Sequence, residues 1–201
     1  MLTGTDGLPR ASAPPVRAPG TRVRAGNAMA RTRSVVLQAA ARVVAERGTR
    51  RASMSDVATA AGVAKGTLYN HFRTKDDVWA ALLESELDAL VAECRGLPLE
   101  FALSHAAQRI SAHPALRRIA ADEPTVLTVL AAPNPDSRCW RVATAAVADA
   151  LTAAGRDPAG TDLVLRWLAS HLLAPDAGSA GTTAALLAAG LPATVTVPSP
   201  S

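Results

Sequence analysis

The sequence contains no run of about 18 apolar residues, so no membrane-spanning helix is expected. Its first residues lack the apolar block of a secretory signal. Only two cysteines are present, Cys94 and Cys139. They form no metal-binding spacing and no disulfide framework, which fits a reducing, cytoplasmic setting. There is no nucleophile elbow, no Gly-rich phosphate loop and no paired carboxylate beside a base. His105 and His113 have no metal-ligand spacing with a Cys or Glu. No enzymatic activity, cofactor or metal is therefore expected. Aromatics are scarce, and after residue 79 only Phe101, Trp140 and Trp167 remain. Period-two alternation is missing except in the short stretch 193–197, confined by Pro192 and Pro198, and there is no internal repeat.

What is present is helical periodicity and a lopsided charge. Residues 1–75 hold 13 Lys and Arg against 3 Asp and Glu, while residues 76–201 hold 8 against 14. A basic third joined to an acidic remainder points to a polyanionic partner for one end only. A solvated basic face is the plainer alternative on charge alone. Residues 1–30 are rich in Pro, Gly, Ser and Thr and carry Arg10, Arg17, Arg22 and Arg24. They hold too little apolar surface for a core, and a disordered basic arm is expected. Such an arm can add phosphate or minor-groove contacts. It can equally be an extended start of the reading frame, or, less readily, a transit peptide.

A first helix is expected over about 31–47, with Val36, Ala39, Ala40, Val43 and Val44 on its buried side and Gly48 as its stop. Ser53 begins a short second helix. Asp56 lies three residues on, as in a capping box with Asp for the usual Glu or Gln. Met54, Val57, Ala58 and Ala61 recur at helical spacing. Gly62 stands where the following turn calls for positive φ. Val63, Leu68 and Phe72 supply core contacts of a third helix and leave Lys65, Gly66, Thr67 and Asn70 outside. Two short helices joined by a Gly-containing turn make a helix-turn-helix, whose second helix enters the major groove.

The run Ala61-Gly62-Val63-Ala64-Lys65-Gly66-Thr67-Leu68-Tyr69, with His71-Phe72, Lys75-Asp76 and Met54-Ser55-Asp56-Val57-Ala58, closely resembles the DNA-binding domain of TetR-type transcriptional regulators, as do Ala39-Ala40 and Gly48. The resemblance covers residues 31–76, about a quarter of the chain. By position on that motif, Lys65, Gly66, Thr67 and Asn70 are assigned to the major-groove face, and Tyr69, His71 and Lys75 to phosphates. Ser53 is assigned a hydroxyl or N–H contact to the backbone. A Lys donates to guanine O6 and N7, an Asn reads adenine, and a Thr methyl touches a thymine methyl. Tyr69 as a core aromatic and His71 as a capping residue are the alternatives for each taken singly. Arg50 and Arg51 lie close enough to reach the DNA backbone or to remain solvated.

A long helix is expected over about 75–94, broken by Gly96-Leu97-Pro98. Helical stretches follow at about 99–111, 114–122, 125–130, 137–154, 161–174 and 179–189, with prolines in or beside the breaks. This predicts an all-α chain of nine or ten helices: a helix-turn-helix domain at 31–76, a helical body at 77–191 and a disordered tail at 192–201. The last two stretches are very apolar, with Leu163, Val164, Trp167, Leu168, His171 and Leu172 on the first and Leu186, Leu187 and Leu191 on the second. Ordinary intrachain core explains this. The resemblance implies a homodimer instead, with these helices in a four-helix bundle. It also implies a ligand site in the body. A pocket for a small apolar ligand is expected there, with Phe101, His105, Arg109, Trp140 and Trp167 as candidate lining. Cys139, between Arg138 and Arg141, is a candidate for a lowered thiol pKa and a sensor role, with an inert cysteine the favoured reading.

The resulting expectation is a ligand-responsive regulator, in the manner of a repressor, that binds a pseudo-palindromic duplex operator as a dimer. The alternatives are a regulator of the same fold that answers to a protein partner or to its own concentration, and a helical DNA-acting enzyme. The last is disfavoured by an acidic body and the missing nucleophile.

Overall fold

The computed structural model describes residues 20–174 and 180–194. Those residues form ten α-helices and one 3-10 turn: α1 (Gly20–Arg51), α2 (Met54–Ala61), α3 (Lys65–His71), α4 (Lys75–Cys94), α5 (Leu99–Ala112), α6 (Pro114–Asp122), α7 (Pro124–Ala131), α8 (Arg138–Ala153), the 3-10 turn at Pro158–Gly160, α9 (Thr161–Leu173) and α10 (Ala180–Gly190). The chain is all-α, as its periodicity indicates. The expected alternation at 193–197 leaves one antiparallel bridge, Arg156 to Ala193, and residues 195–197 lie outside the described residues.

The first helix starts at Gly20 rather than near residue 31. The arm expected over 1–30 is thus helical from Gly20, and residues 1–19 lie outside the described residues. Ala28, Met29 and Ala30 are good helix formers, and a helix already nucleated over its core-facing residues propagates cheaply through them. They gain no core by it, since all three are exposed. At Gly48 the backbone turns to φ 76°, ψ 171°, and a final helical turn at 49–51 follows the break.

Helices α1 to α4 build the head. Its core joins Val36, Leu37, Ala40 and Val43 of α1 to Val57 and Ala58 of α2, Leu68 of α3, and Val78, Ala81 and Leu82 of α4. Phe72 closes it, with the Arg33 guanidinium 5.3 Å from its ring centroid in cation–π range. A second core belongs to the body and joins Leu99 and Leu103 of α5, Leu151 of α8, Val164 of α9, and Ala184 and Ala188 of α10. A third links the two parts, with Val44 of α1 among Ala115 and Ile119 of α6 and Leu127 of α7.

Helix α4 serves both parts. Its first half lies in the head core. Its second half is clipped by ion pairs on two sides. Glu86 and Glu93 meet α5, with Glu93 bound to Arg109 Nε at 3.0 Å and to His105 at 2.8 Å. Arg138 at the start of α8 binds Asp88 at 3.0 Å.

The apolar character of the last two helices is spent mainly inside the chain. Val164, Leu165, His171 and Leu191 are buried, and Trp167, Leu168 and Leu187 pack on the body core. The Ser111 hydroxyl meets His171 Nδ1 at 3.3 Å, and Trp167 stacks on the imidazole edge-on, so His171 is a core residue. Only Leu163 and Leu173 of α9 and Leu186 of α10 stand out as exposed leucines there.

Candidate nucleic-acid interface and internal cavities

The recognition unit is fixed from beneath by local chemistry. Ser53 caps α2: its hydroxyl accepts from Asp56 N at 3.2 Å and donates to Asp56 Oδ2 at 2.7 Å. The Asp56 carboxylate accepts from Ser53 N in return, which completes the capping box, and Arg47 binds its other oxygen at 2.8 Å. The Ser53 bond and the Arg47 charge hold the Asp56 carboxyl below its ordinary value. Gly62 ends α2 at φ 66°, ψ 29°, a left-handed conformation that residues with Cβ resist.

That turn presents α3 with one side sunk in the core. Leu68 and Phe72 are buried, while Lys65, Gly66, Tyr69 and Asn70 are exposed and Thr67 and His71 half-buried. The exposed set is the face expected to meet base edges. Tyr69 is half exposed. A Cβ built on Gly66 meets nothing within 4 Å, so nothing inside the chain requires glycine there.

Two of the assigned residues have other work. The Ser53 hydroxyl is fully used in its cap, which leaves it no proton for a phosphate. The Lys75 ammonium donates to Thr49 O at 3.1 Å and so ties the start of α4 to the end of α1. Arg73, exposed between α3 and α4, was not picked out from the sequence. A lone Arg in a turn gives no pattern to find it by.

The body contains two adjoining cavities, of about 310 and 580 Å³. Of the candidate ligand residues, Arg109 and Trp140 line the first cavity. Phe101 and His105 do not line either: Phe101 is exposed on α5, and His105 is held by Glu93 on the surface. Trp167 also stands apart, packed on the body core. Leu87, Leu90, Leu165 and Leu168, none of them assigned to the pocket from sequence, line both cavities. Leucines at helical spacing look alike whether they fill a core or line a void.

The first cavity has a polar corner of Glu86, Arg109 and His113. His113 meets Glu86 at 3.4 Å, and its Nδ1 accepts from Leu116 N, which leaves Nε2 as the donor to Glu86. That bond, opposed by burial and aided by the nearby charges, holds the Glu86 carboxyl below its ordinary value. Cys139 has the surroundings of an inert cysteine and not those of a sensor. Burial pushes its thiol up, with Glu84 adding to the effect, and Arg138 is turned to Asp88. Arg141 donates to the carbonyls of Pro135 and Asp136.

Residues 36–82 match the family of bacterial regulatory proteins, tetR family. Over these residues the chain is similar to the DNA-binding domain of tetR-family regulators. Over 65 residues it is 40% identical to the transcriptional repressor KstR2 of Mycobacterium tuberculosis, a stretch that covers 32% of each protein. The match thus spans about a third of that relative's length. Over 54 residues it is 41% identical to the regulator TtgR of Pseudomonas putida, covering 27% of this chain and 26% of that protein.

Beyond the TetR-type head the likeness is one of fold. The crystal structure of the TetR family repressor AlkX from Dietzia sp. covers 78% of this chain and 93% of its own, at 22% identity and a TM-score of 0.58. Relatives named as TetR-family regulators give no support to an enzymatic reading. No helix among the described residues is long and apolar enough to cross a membrane.

Proposed function

We propose that the chain is a dimeric, ligand-responsive transcriptional repressor. In this reading α3 of each protomer lies in a major groove of a pseudo-palindromic operator, one helical turn apart, near 34–36 Å. Lys65, Gly66, Thr67 and Asn70 face base edges. Tyr69 and His71 take phosphates, joined by Lys75 where its ammonium swings from Thr49; Ser53, whose hydroxyl and N–H both go to Asp56, is left out of the contact set. The basic charge of the head supplies most of the affinity and makes it salt-dependent. A cytoplasmic location goes with this role.

The observation that carries responsiveness is the continuity between cavity and head. Leu116 of α6 and Leu130 of α7 line the first cavity, and both pack in the cluster that holds Val44 of α1 and Trp79 of α4. A ligand that displaces those leucines moves the surface on which the head rests. Close-packed clusters transmit such shifts because they do not compress. The dimer is proposed through α9 and α10, with Leu163 and Leu186 outward.

Selection of bound sequences from a random duplex pool, followed by a screen for compounds that release the selected duplex, tests this function. A two-fold symmetric site and at least one releasing compound are expected. Failure to enrich any sequence would remove the DNA-reading role. Enrichment with no releasing compound would leave a regulator without a small-molecule input.

A further inference from the structure

The two cavities adjoin end to end. They share Leu87 and Leu90 of α4, Ala143 of α8, and Leu165 and Leu168 of α9. From this junction each follows the same helices in opposite directions. Along α4 the first chamber extends back to Leu83 and the second on to Arg95. Twelve steps at about 1.5 Å per residue make a span of roughly 18 Å. Along α5 the second chamber begins at Leu99 and the first ends at His113; along α8 the first begins at Cys139 and the second ends at Ala154.

The walls are leucine and alanine through the middle, and charged groups stand only toward the ends. Glu86, Arg109 and His113 mark the first end, Arg95 and Asp149 the second. A compact ligand would fill one chamber and leave the other apolar and empty. A long flexible chain buries its whole length. At the first end, Arg109 gives Nε and Nη2 to Glu93, with Glu86 at 3.7 Å from Nη2. Among the described residues its Nη1 donors take no bond, so part of the guanidinium fork is left for a ligand oxygen.

We infer that the two cavities join past Ala143 into one channel that takes a long, unbranched aliphatic chain with one carboxylate head, the chain threading both chambers and the head meeting Arg109. This rests on the reading of the body as a ligand site and specifies the ligand's shape and chemistry. The small apolar ligand expected from sequence gives way to an elongated one because the lining residues continue from one chamber into the next.

The test is direct binding of saturated carboxylic acids, from octanoic to stearic, to the full chain, alongside release of its selected duplex. Affinity is expected to rise about fourfold per added methylene, the factor that corresponds to ~0.8 kcal/mol per buried CH2. The rise continues beyond the length that one chamber holds. Ala143→Phe narrows the junction and should end the rise at shorter acids. Arg109→Gln should erase the preference for an acid over its methyl ester. The wild-type length series decides even if Ala143→Phe does not fold. A flat length dependence, or no binding of any acid while another compound releases the duplex, overturns the inference and leaves the ligand site standing. No release by any compound, together with no acid bound, removes the underlying reading as well.

Discussion

The Glu123 carboxylate, buried between α6 and α7, accepts a hydrogen bond from the Thr49 hydroxyl at 2.5 Å across 74 positions of sequence. Its other oxygen accepts from Arg50 N at 3.0 Å, and the Arg50 guanidinium lies 3.6 Å away. This pins the last turn of α1, just before the Ser53 cap, to the body. Gly48 makes room for it: a Cβ there would stand 2.9 Å from the Glu123 carboxylate, at a φ that already favours glycine. The pin sits beside the cluster that reaches the cavity through Leu116 and Leu130.

Glu123→Ala should destabilise the chain, because it leaves the Thr49 hydroxyl and Arg50 N–H without their partner, at about 1–3 kcal/mol for a buried group so orphaned. Its more telling effect is on coupling. Thr49→Val removes one bond of the pin and should weaken ligand-driven release of DNA more than it weakens DNA binding itself. Titrating duplex release with ligand in both proteins checks this. Equal release in wild type and variant would mean that the head is moved by another contact.

Acid should loosen the same joint. Burial raises the Glu123 carboxyl, but its bonds from Thr49 and Arg50 outweigh this and hold it below 4.5. Glu86 is held below 4.5 as well, chiefly by His113. A carboxyl lowered in the folded state stabilises above its unfolded value and loses that contribution as pH falls through the folded one. Thermal midpoints should therefore drop as pH falls below about 4.5. Glu123→Gln should flatten part of that drop. An unchanged acid limb in the variant would count against the pin.

The recognition face predicts two different losses. Lys65→Ala should cost about 1–3 kcal/mol in specific binding and relax preference at one base pair. Tyr69→Phe should weaken binding more evenly across sequences. Affinities over a set of operator variants separate the two. No change in either protein would dissociate α3 from base reading.

What the sequence made legible was local. Ser53 with Asp56, Gly62, and the spacing of Leu68 and Phe72 lie within twenty residues, and each acts through its own or the next helix. The pin was invisible because Glu123 and Thr49 meet only once α6 packs on α1, and an acid before Pro124 reads as a helix start. His105 and Arg109, both offered as cavity lining, stand four residues apart on one face of α5, and that face meets Glu93 of α4. Helix α10 offers Leu186 and Leu187 side by side, and nothing in AALLAAG tells which faces in. The structure puts Leu187 on the core and Leu186 outside.

That distinction gives a test of assembly. Leu186→Glu changes an exposed residue and should keep the fold while weakening self-association. Leu187→Glu puts a charge against the body core and should unfold the chain or aggregate it. Light scattering with circular dichroism resolves the pair. A Leu186→Glu protein that stays dimeric would move the interface to another face.

Both cysteines should be slow to react. Burial pushes the Cys94 thiol up, with Glu93 adding to it, and does the same for Cys139. The thiolate is the reactive form, so alkylation at neutral pH should run below the rate of a free thiol. Rapid labelling of Cys139 would revive a sensor role for it.

The central claim is that two copies of α3 read one duplex from a fixed separation. The most direct measurement is affinity for the selected duplex as the distance between its half-sites is changed. Inserting about five base pairs, half of a helical turn, puts the second half-site on the opposite side of the DNA. The account predicts that affinity falls to that of a single half-site and that ten inserted pairs restore it only in part, at about one full turn. Affinity indifferent to the insertion would contradict paired recognition by α3.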